Sequence, residues 1–204
     1  MPRVGLDREA VLEAAVALSD KEGLEGVTIA RLAEVLGVRG PSLYNHVHGL
    51  EELRRELALR GLRELSTRIT RAAVGLSKEE AIHSMAAAYR QFARERAGLY
   101  AASLQAPQVE DGELWRAGEA VVEVVLAVLA TFGLRGNDAL HAVRGLRAVV
   151  HGFVALEARG GFGLPLDLEE SFSRLVDSFI MGLEQANQPS VRRVASRGST
   201  PRRR

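Results

Sequence analysis

The sequence predicts an all-α protein, with an N-terminal three-helix unit joined to a larger C-terminal helical bundle and about nine helices in total. Three observations carry this expectation. Apolar residues recur at 3.6-residue spacing along most of the 204 residues. The period-two alternation of strands is nearly absent. Glycine, proline and short polar side chains fall where helices would begin and end. The composition, 47% hydrophobic and 26% charged, suits a globular core, and with only 5% aromatic residues that core must be packed mainly by aliphatic side chains.

The elements follow in order. Asp7 can cap a first helix over 7–23, with Val11, Leu12, Ala15 and Leu18 inward and Gly23 at its end. Thr28 can cap a second, in which Ile29, Leu32, Ala33 and Leu36 form one buried stripe before Gly37 stops it. A short third helix starts near Pro41, whose missing N–H would have no partner in a first turn anyway, and Leu43 and Val47 face inward. A fourth, over 50–69, carries Leu50, Leu53, Leu57 and Leu65. Glu51 and Glu52 favour its start through the helix dipole.

Ser77-Lys78-Glu79-Glu80 reads as a capping box for a helix that buries Ile82, Met85, Tyr89 and Phe92. A short segment over 98–105 is closed by Pro107. The stretch 112–132 is apolar on several faces, so it is expected at the centre of the bundle. Asn137 is expected to cap the next helix, which runs to residue 159 with two stripes. One is Leu140, Val143, Val150 and Val154; the other is Leu146, Val149, Phe153 and Leu156. Two stripes predict two partners, an internal core and a second surface. A last helix over 168–185 presents Phe172, Leu175, Phe179 and Leu183. Residues 187–204 are polar, arginine-rich and aperiodic, and read as a disordered tail. The expected divisions are 1–48, 49–186 and 187–204.

Composition excludes several function classes. Without cysteine there can be no disulfide, thiolate chemistry or cysteine-based zinc site. His83, His141 and His151 lack the i, i+4 spacing of a helical metal site, and no nucleophile–base pattern or phosphate loop appears. Neither an enzyme nor a bound metal or cofactor is expected. The N-terminus lacks a secretory pattern, and the apolar run 120–134 contains Glu123 and is too short to span a bilayer, so the chain is read as cytoplasmic with no membrane partner. Net charge is +1, but six arginines fall within 189–204, leaving the remainder at −5. Residues 1–60 hold eight basic and ten acidic side chains, so no broad basic patch argues for nucleic acid there.

The geometry of 28–47 argues for it instead. A supporting helix, a tight turn and a short second helix fall within twenty residues, as a helix-turn-helix requires. The outward positions are hydrogen-bonding groups. Arg39, Gly40, Pro41, Ser42 and Asn45 are placed to reach base edges, and Tyr44, His46 and His48 to reach phosphates. Thr28, at a helix N-terminus, also suits a phosphate. Arg3 could reach backbone or minor groove.

The stretch Thr28-Ile29-Ala30-Arg31-Leu32-Ala33-Glu34-Val35-Leu36-Gly37-Val38, followed by Pro41-Ser42-Leu43-Tyr44-Asn45-His46-Val47, resembles the DNA-binding domain of TetR-family regulators. The resemblance implies a homodimer that binds a palindromic duplex operator and is released by a small-molecule effector. The family commonly has a lysine opening the fourth helix to contact phosphate; here the position is Leu50. His151-Gly152-Phe153, Gly160-Gly161-Phe162-Gly163 and Glu170-Ser171-Phe172 resemble one C-terminal subclass in which a His-Gly pair recurs. A cavity between the C-terminal helices would be lined by Met85, Tyr89, Phe92, Tyr100 and Leu104, with Trp115, Glu119, Val122 and His151. Met and aromatic residues at helical spacing equally describe plain core. The alternative to a regulator is a helical small-molecule binding module or enzyme without DNA function.

Overall fold

The computed structural model describes residues 6–106 and 109–187. Arg3, Pro107 and all but the first residue of the arginine-rich tail expected over 187–204 lie outside the described residues. Within them the regular structure is nine α-helices and one 3-10 turn, as the periodicity predicts.

The N-terminal helices form because each has its own start and stop. In α1 (Arg8–Glu22), the Asp7 carboxylate accepts from the Ala10 amide at 2.7 Å. After a 3-10 turn at Leu24–Gly26, the Thr28 hydroxyl accepts from the Arg31 amide at 3.1 Å to open α2 (Ile29–Leu36). Gly37 ends α2 in the left-handed region at φ 65°, which costs glycine little. The short α3 (Gly40–Leu43) follows, with proline in its first turn. Val11, Leu12, Leu32, Leu43 and Val47 are sealed from solvent and hold these elements together.

The helix α4 (Leu50–Ala73) runs four residues past its expected end and, at 24 residues, is about 36 Å long. It packs against α1, α5 (Lys78–Glu95), α6 (Ala97–Ala102) and α7 (Gly112–Thr131), and so belongs to both ends of the molecule. The helices α8 (Gly136–Ala158) and α9 (Leu168–Asn187) complete the bundle against α5. By length and composition α8 is apolar enough to cross a membrane, with a mean hydropathy of 1.2, but three helices of the bundle pack on it.

Several expectations are corrected. Ser77 makes no capping hydrogen bond. Lys78 adopts φ 47°, which carries the Ser77 hydroxyl away from the Glu80 amide, and the Thr131 hydroxyl of α7 accepts from the Lys78 amide instead. Asn137 sits inside the first turn of α8, which begins one residue earlier at Gly136. The last helix continues to Asn187, beyond the expected 185, and starts with the Asp167 carboxylate accepting from the Glu170 amide at 2.9 Å. The stretch 112–132 is not the centre of the core. Only Val128 and Leu129 of α7 are fully buried; Val121, Val125 and Leu126 pack partly against the core and also border a cavity. On α8 the buried face mixes the two expected stripes, as Leu146, Val150, Phe153 and Val154, while Leu140 and Leu156 are exposed.

The three C-terminal motif fragments converge on one cluster. The Phe153 ring lies 4.6 Å from Phe162 and 5.0 Å from Phe172, centroid to centroid. The buried Arg90 guanidinium covers Phe153 and Phe172 and binds Glu157 in a bidentate pair at 2.7 and 2.8 Å. Its third bond, to Glu169 at 2.7 Å, ties α5 to both α8 and α9. Satisfying the guanidinium this way offsets the large cost of burying a charge.

Candidate nucleic-acid interface and internal cavity

The segment 28–47 places its polar side chains outward because its apolar ones are consumed below. Leu32, Leu43 and Val47 are buried, so Arg39, Pro41, Tyr44 and Asn45, which alternate with them around the short helix and turn, are exposed. Tyr44, at 56% exposure, is an aromatic ring held open to solvent. Ser42 and His46 are half-buried, and Thr28 and His48 are exposed. The structure thus brings Thr28, Arg39, Ser42, Tyr44, Asn45, His46 and His48 to one outer segment, with Gly40 in its backbone.

The cations around this segment are mostly spoken for. Arg31 is held by Glu22 at 2.6 Å and Glu34 at 2.7 Å, and Arg54 by Glu25 at 2.9 Å. Arg39 has no ion pair among the described residues. Beyond the short helix, Glu52 accepts from the His48 amide at 2.5 Å and from Arg8 at 3.0 Å. Those bonds, the amide first, hold its carboxyl below the usual range. This clasp fixes the turn through Gly49, whose φ of 120° suits glycine alone. Leu50 is half-buried against the core, so it makes no substitute for a phosphate-binding lysine.

A tight joint lies behind the segment. A Cβ on Gly98 of α6 would stand 2.2 Å from the Ser19 hydroxyl of α1, and one on Gly61 of α4 would stand 2.5 Å from the Leu99 carbonyl oxygen. The Asp20 carboxylate accepts from the Gly98 amide at 3.0 Å and from Arg96 at 2.8 Å. Backbone of α6 is therefore wedged between α1 and α4. Nearer the start of α4, Arg55 binds Asp111 and Glu113 at the start of α7. That guanidinium, together with the Leu114 amide, lowers the Asp111 carboxyl from 3.8 to about 2.

Between α4, α5, α7 and α8 lies a partly open cavity of about 670 Å³, within the range of about 300–1,000 Å³ usual for small-molecule sites. Met85, Tyr89, Leu104, Trp115, Glu119 and Val122 line it. Phe92, Tyr100 and His151 do not. Phe92 is fully buried in the core under Arg68. Tyr100 lies behind Tyr89, edge-on at 5.7 Å between ring centroids, and its hydroxyl meets His151 Nδ1 at 2.5 Å. Burial, and then the Tyr89 hydroxyl, push the Tyr100 phenol above its ordinary range.

Comparison with known proteins decides the family. Residues 82–179 match the family model described as the tetracyclin repressor-like C-terminal domain. The HTH-type transcriptional regulator YobS of Bacillus subtilis is 38% identical over 183 residues, covering 89% of this chain and 95% of that protein. A second HTH-type transcriptional regulator, from Mycobacterium tuberculosis, is 36% identical, covering 88% of this chain and 83% of that one. The chain belongs to the TetR family of transcriptional regulators. The fold agrees with solved TetR structures. A TetR variant from Acinetobacter baumannii, in complex with minocycline, superimposes with a TM-score of 0.65 at 25% identity, covering 90% of this chain and 99% of that one.

As a TetR-family regulator and not an enzyme, the protein carries a helix-turn-helix for DNA binding at its N-terminal end. Sequence reasoning missed the cavity wall supplied by α4, where Leu62, Leu65 and Ile69 face the space, and the α8 wall with Val143, Arg144 and Arg147. Their spacing is that of ordinary core stripes, so nothing local marks them. The wedge at Gly98 was equally silent, since a glycine inside a short helix shows its purpose only when the other helix is in place.

Proposed function

We propose that the protein is a cytoplasmic, ligand-responsive repressor that binds a palindromic operator as a homodimer and leaves it when a small molecule fills the cavity. Residues 1–48 serve as the DNA-reading unit and 49–186 as the sensing and pairing unit. Arg39, Gly40, Pro41, Ser42 and Asn45 meet base edges, while Thr28, Tyr44, His46 and His48 meet backbone phosphates.

One observation carries the reading: the cavity and the helix-turn-helix share rigid elements. The same α4 that opens beside His48 walls the cavity with Leu62, Leu65 and Ile69. Residue Leu104, two positions past the end of α6, lines the cavity, while Gly98 of α6 is wedged on α1. A ligand that prefers one placement of these helices changes the position of the reading segment, and by linkage changes DNA affinity. The minocycline held by the Acinetobacter relative supports a small-molecule effector here. Leu156 on α8 and Met181 on α9 are exposed apolar side chains available for pairing two copies.

Mobility shift of the purified chain on its own upstream region tests this reading. Sequence-selective binding that weakens as salt rises is expected. Binding equally to scrambled DNA, or not at all, would favour a small-molecule binding module without DNA function.

A further inference from the structure

We infer that the cavity takes an aliphatic molecule ending in a carboxylate, its head held at the mouth by Arg147 and Arg144 and its chain directed inward. The inference rests on the ligand-responsive reading above and names the chemical class of that ligand.

The interior selects the body. The walls contributed by α4, with Leu62, Leu65 and Ile69, and by α7, with Val121, Val125 and Leu126, are aliphatic. These two walls reward a saturated chain through the apolar area removed from water, while the uncharged polar side chains of the lining, Tyr89, Ser103 and Gln105, come from α5 and from the end of α6 and the segment after it.

The mouth selects the head. Arg144 and Arg147 line the cavity and are exposed, so they stand where it opens. Arg147 is already aimed, because its Nη2 donates to the Leu104 carbonyl at 3.0 Å. A guanidinium has five N–H donors in a fixed fork, and a neutral carbonyl uses few of them. Neither Arg144 nor Arg147 has a carboxylate partner among the described residues. The arginines of the neighbouring packing are different: Arg55, Arg68, Arg90 and Arg96 each hold at least one. A ligand carboxylate would give Arg147 the paired acceptor it lacks. Glu119 and Glu123 also line the cavity from α7, but they are exposed and make no hydrogen bond to a described residue. They make a cationic head the competing outcome of the test.

The choice of head also reaches the joint behind the reading segment. Leu104 follows α6, and a carboxylate competing for Arg147 takes it from the Leu104 carbonyl, loosening the end of the segment whose other end is wedged on Ser19.

Trp115 is the single tryptophan of the chain and lines the cavity, so its fluorescence reports occupancy. The full chain is titrated with decanoate, 1-decanol and decylammonium at neutral pH, and operator release is followed in parallel. Decanoate is expected to bind about tenfold more tightly than either analogue, and Arg144→Gln and Arg147→Gln each to remove most of that margin. Arg144 has no partner among the described residues, so its replacement tests the head without disturbing α6. Equal affinities, a preference for decylammonium, indifference to both substitutions, or no binding by any of the three would overturn the inference. If decanol or decylammonium releases the operator equally well, the ligand-responsive reading stands and the carboxylate assignment falls. If decanoate binds with arginine dependence but never releases the operator, the carboxylate site stands and the release reading falls.

Discussion

Tyr44 and Leu43 are neighbours with opposite fates, one more than half exposed and the other sealed. That contrast makes residue-level predictions separable from folding. Tyr44→Ala and His46→Ala should weaken binding to every operator, since phosphate contacts carry no sequence information. Arg39→Ala and Asn45→Ala should relax preference at particular base pairs, by about 1–3 kcal/mol per lost bidentate contact. Binding assays on matched and scrambled duplexes check this, and equal losses on both for Arg39→Ala would refute its assignment to a base. Asp111 makes a different prediction. Its carboxyl is depressed from 3.8 to about 2 by Arg55, so its contribution to stability is complete above its ordinary pKa and disappears as pH falls through about 2. Asp111→Asn should lower the urea midpoint at neutral pH, with the difference from wild type closing between pH 3.8 and 2; a constant difference would contradict the pairing. The caps at Asp7 and Thr28 were legible because donor and acceptor lie three residues apart. The start of α5 at Ser77 was legible as well, but not the bond that holds it, because the acceptor is Thr131, more than fifty residues away.

At the scale of elements, the helices themselves could be read, since their stripes, caps and terminating glycines are local. What they enclose could not. The high apolar content of α7 looked like the mark of a central helix, yet Trp115, Val121, Val122, Val125 and Leu126 border the cavity. A stripe of valines reads the same whether it meets side chains or a ligand. The joint between α6 and α1 gives the sharpest prediction at this scale. Gly98→Ala would put a methyl 2.2 Å from the Ser19 hydroxyl and 2.3 Å from its backbone carbonyl carbon, so α6 must move. Such overpacking costs about 1–3 kcal/mol. A fall in Tm together with reduced operator affinity is expected; an unchanged Tm would mean that the two helices are not in backbone contact.

For the whole molecule, net charge says little, because the ion pairs are spent internally. Arg8 with Glu52 and Glu56, Arg60 with Glu9 and Glu13, and Arg96 with Asp20 and Glu64 all stitch α1 to α4 and α6. These are partly exposed pairs, each worth little alone, but together they join the reading end to the sensing end. The helix-turn-helix was legible from sequence because its twenty residues contain the whole device. The cavity draws on four helices spread from Leu62 to Val150, and was only half visible in advance. The central claim is that two copies read one palindrome through residues 28–47. Hydroxyl-radical footprinting of the upstream region tests it most directly. The account predicts two protected patches on one face of the duplex, centred one helical turn or about 34–36 Å apart, both lost with Tyr44→Ala. A single patch, or two that persist in that variant, would contradict it.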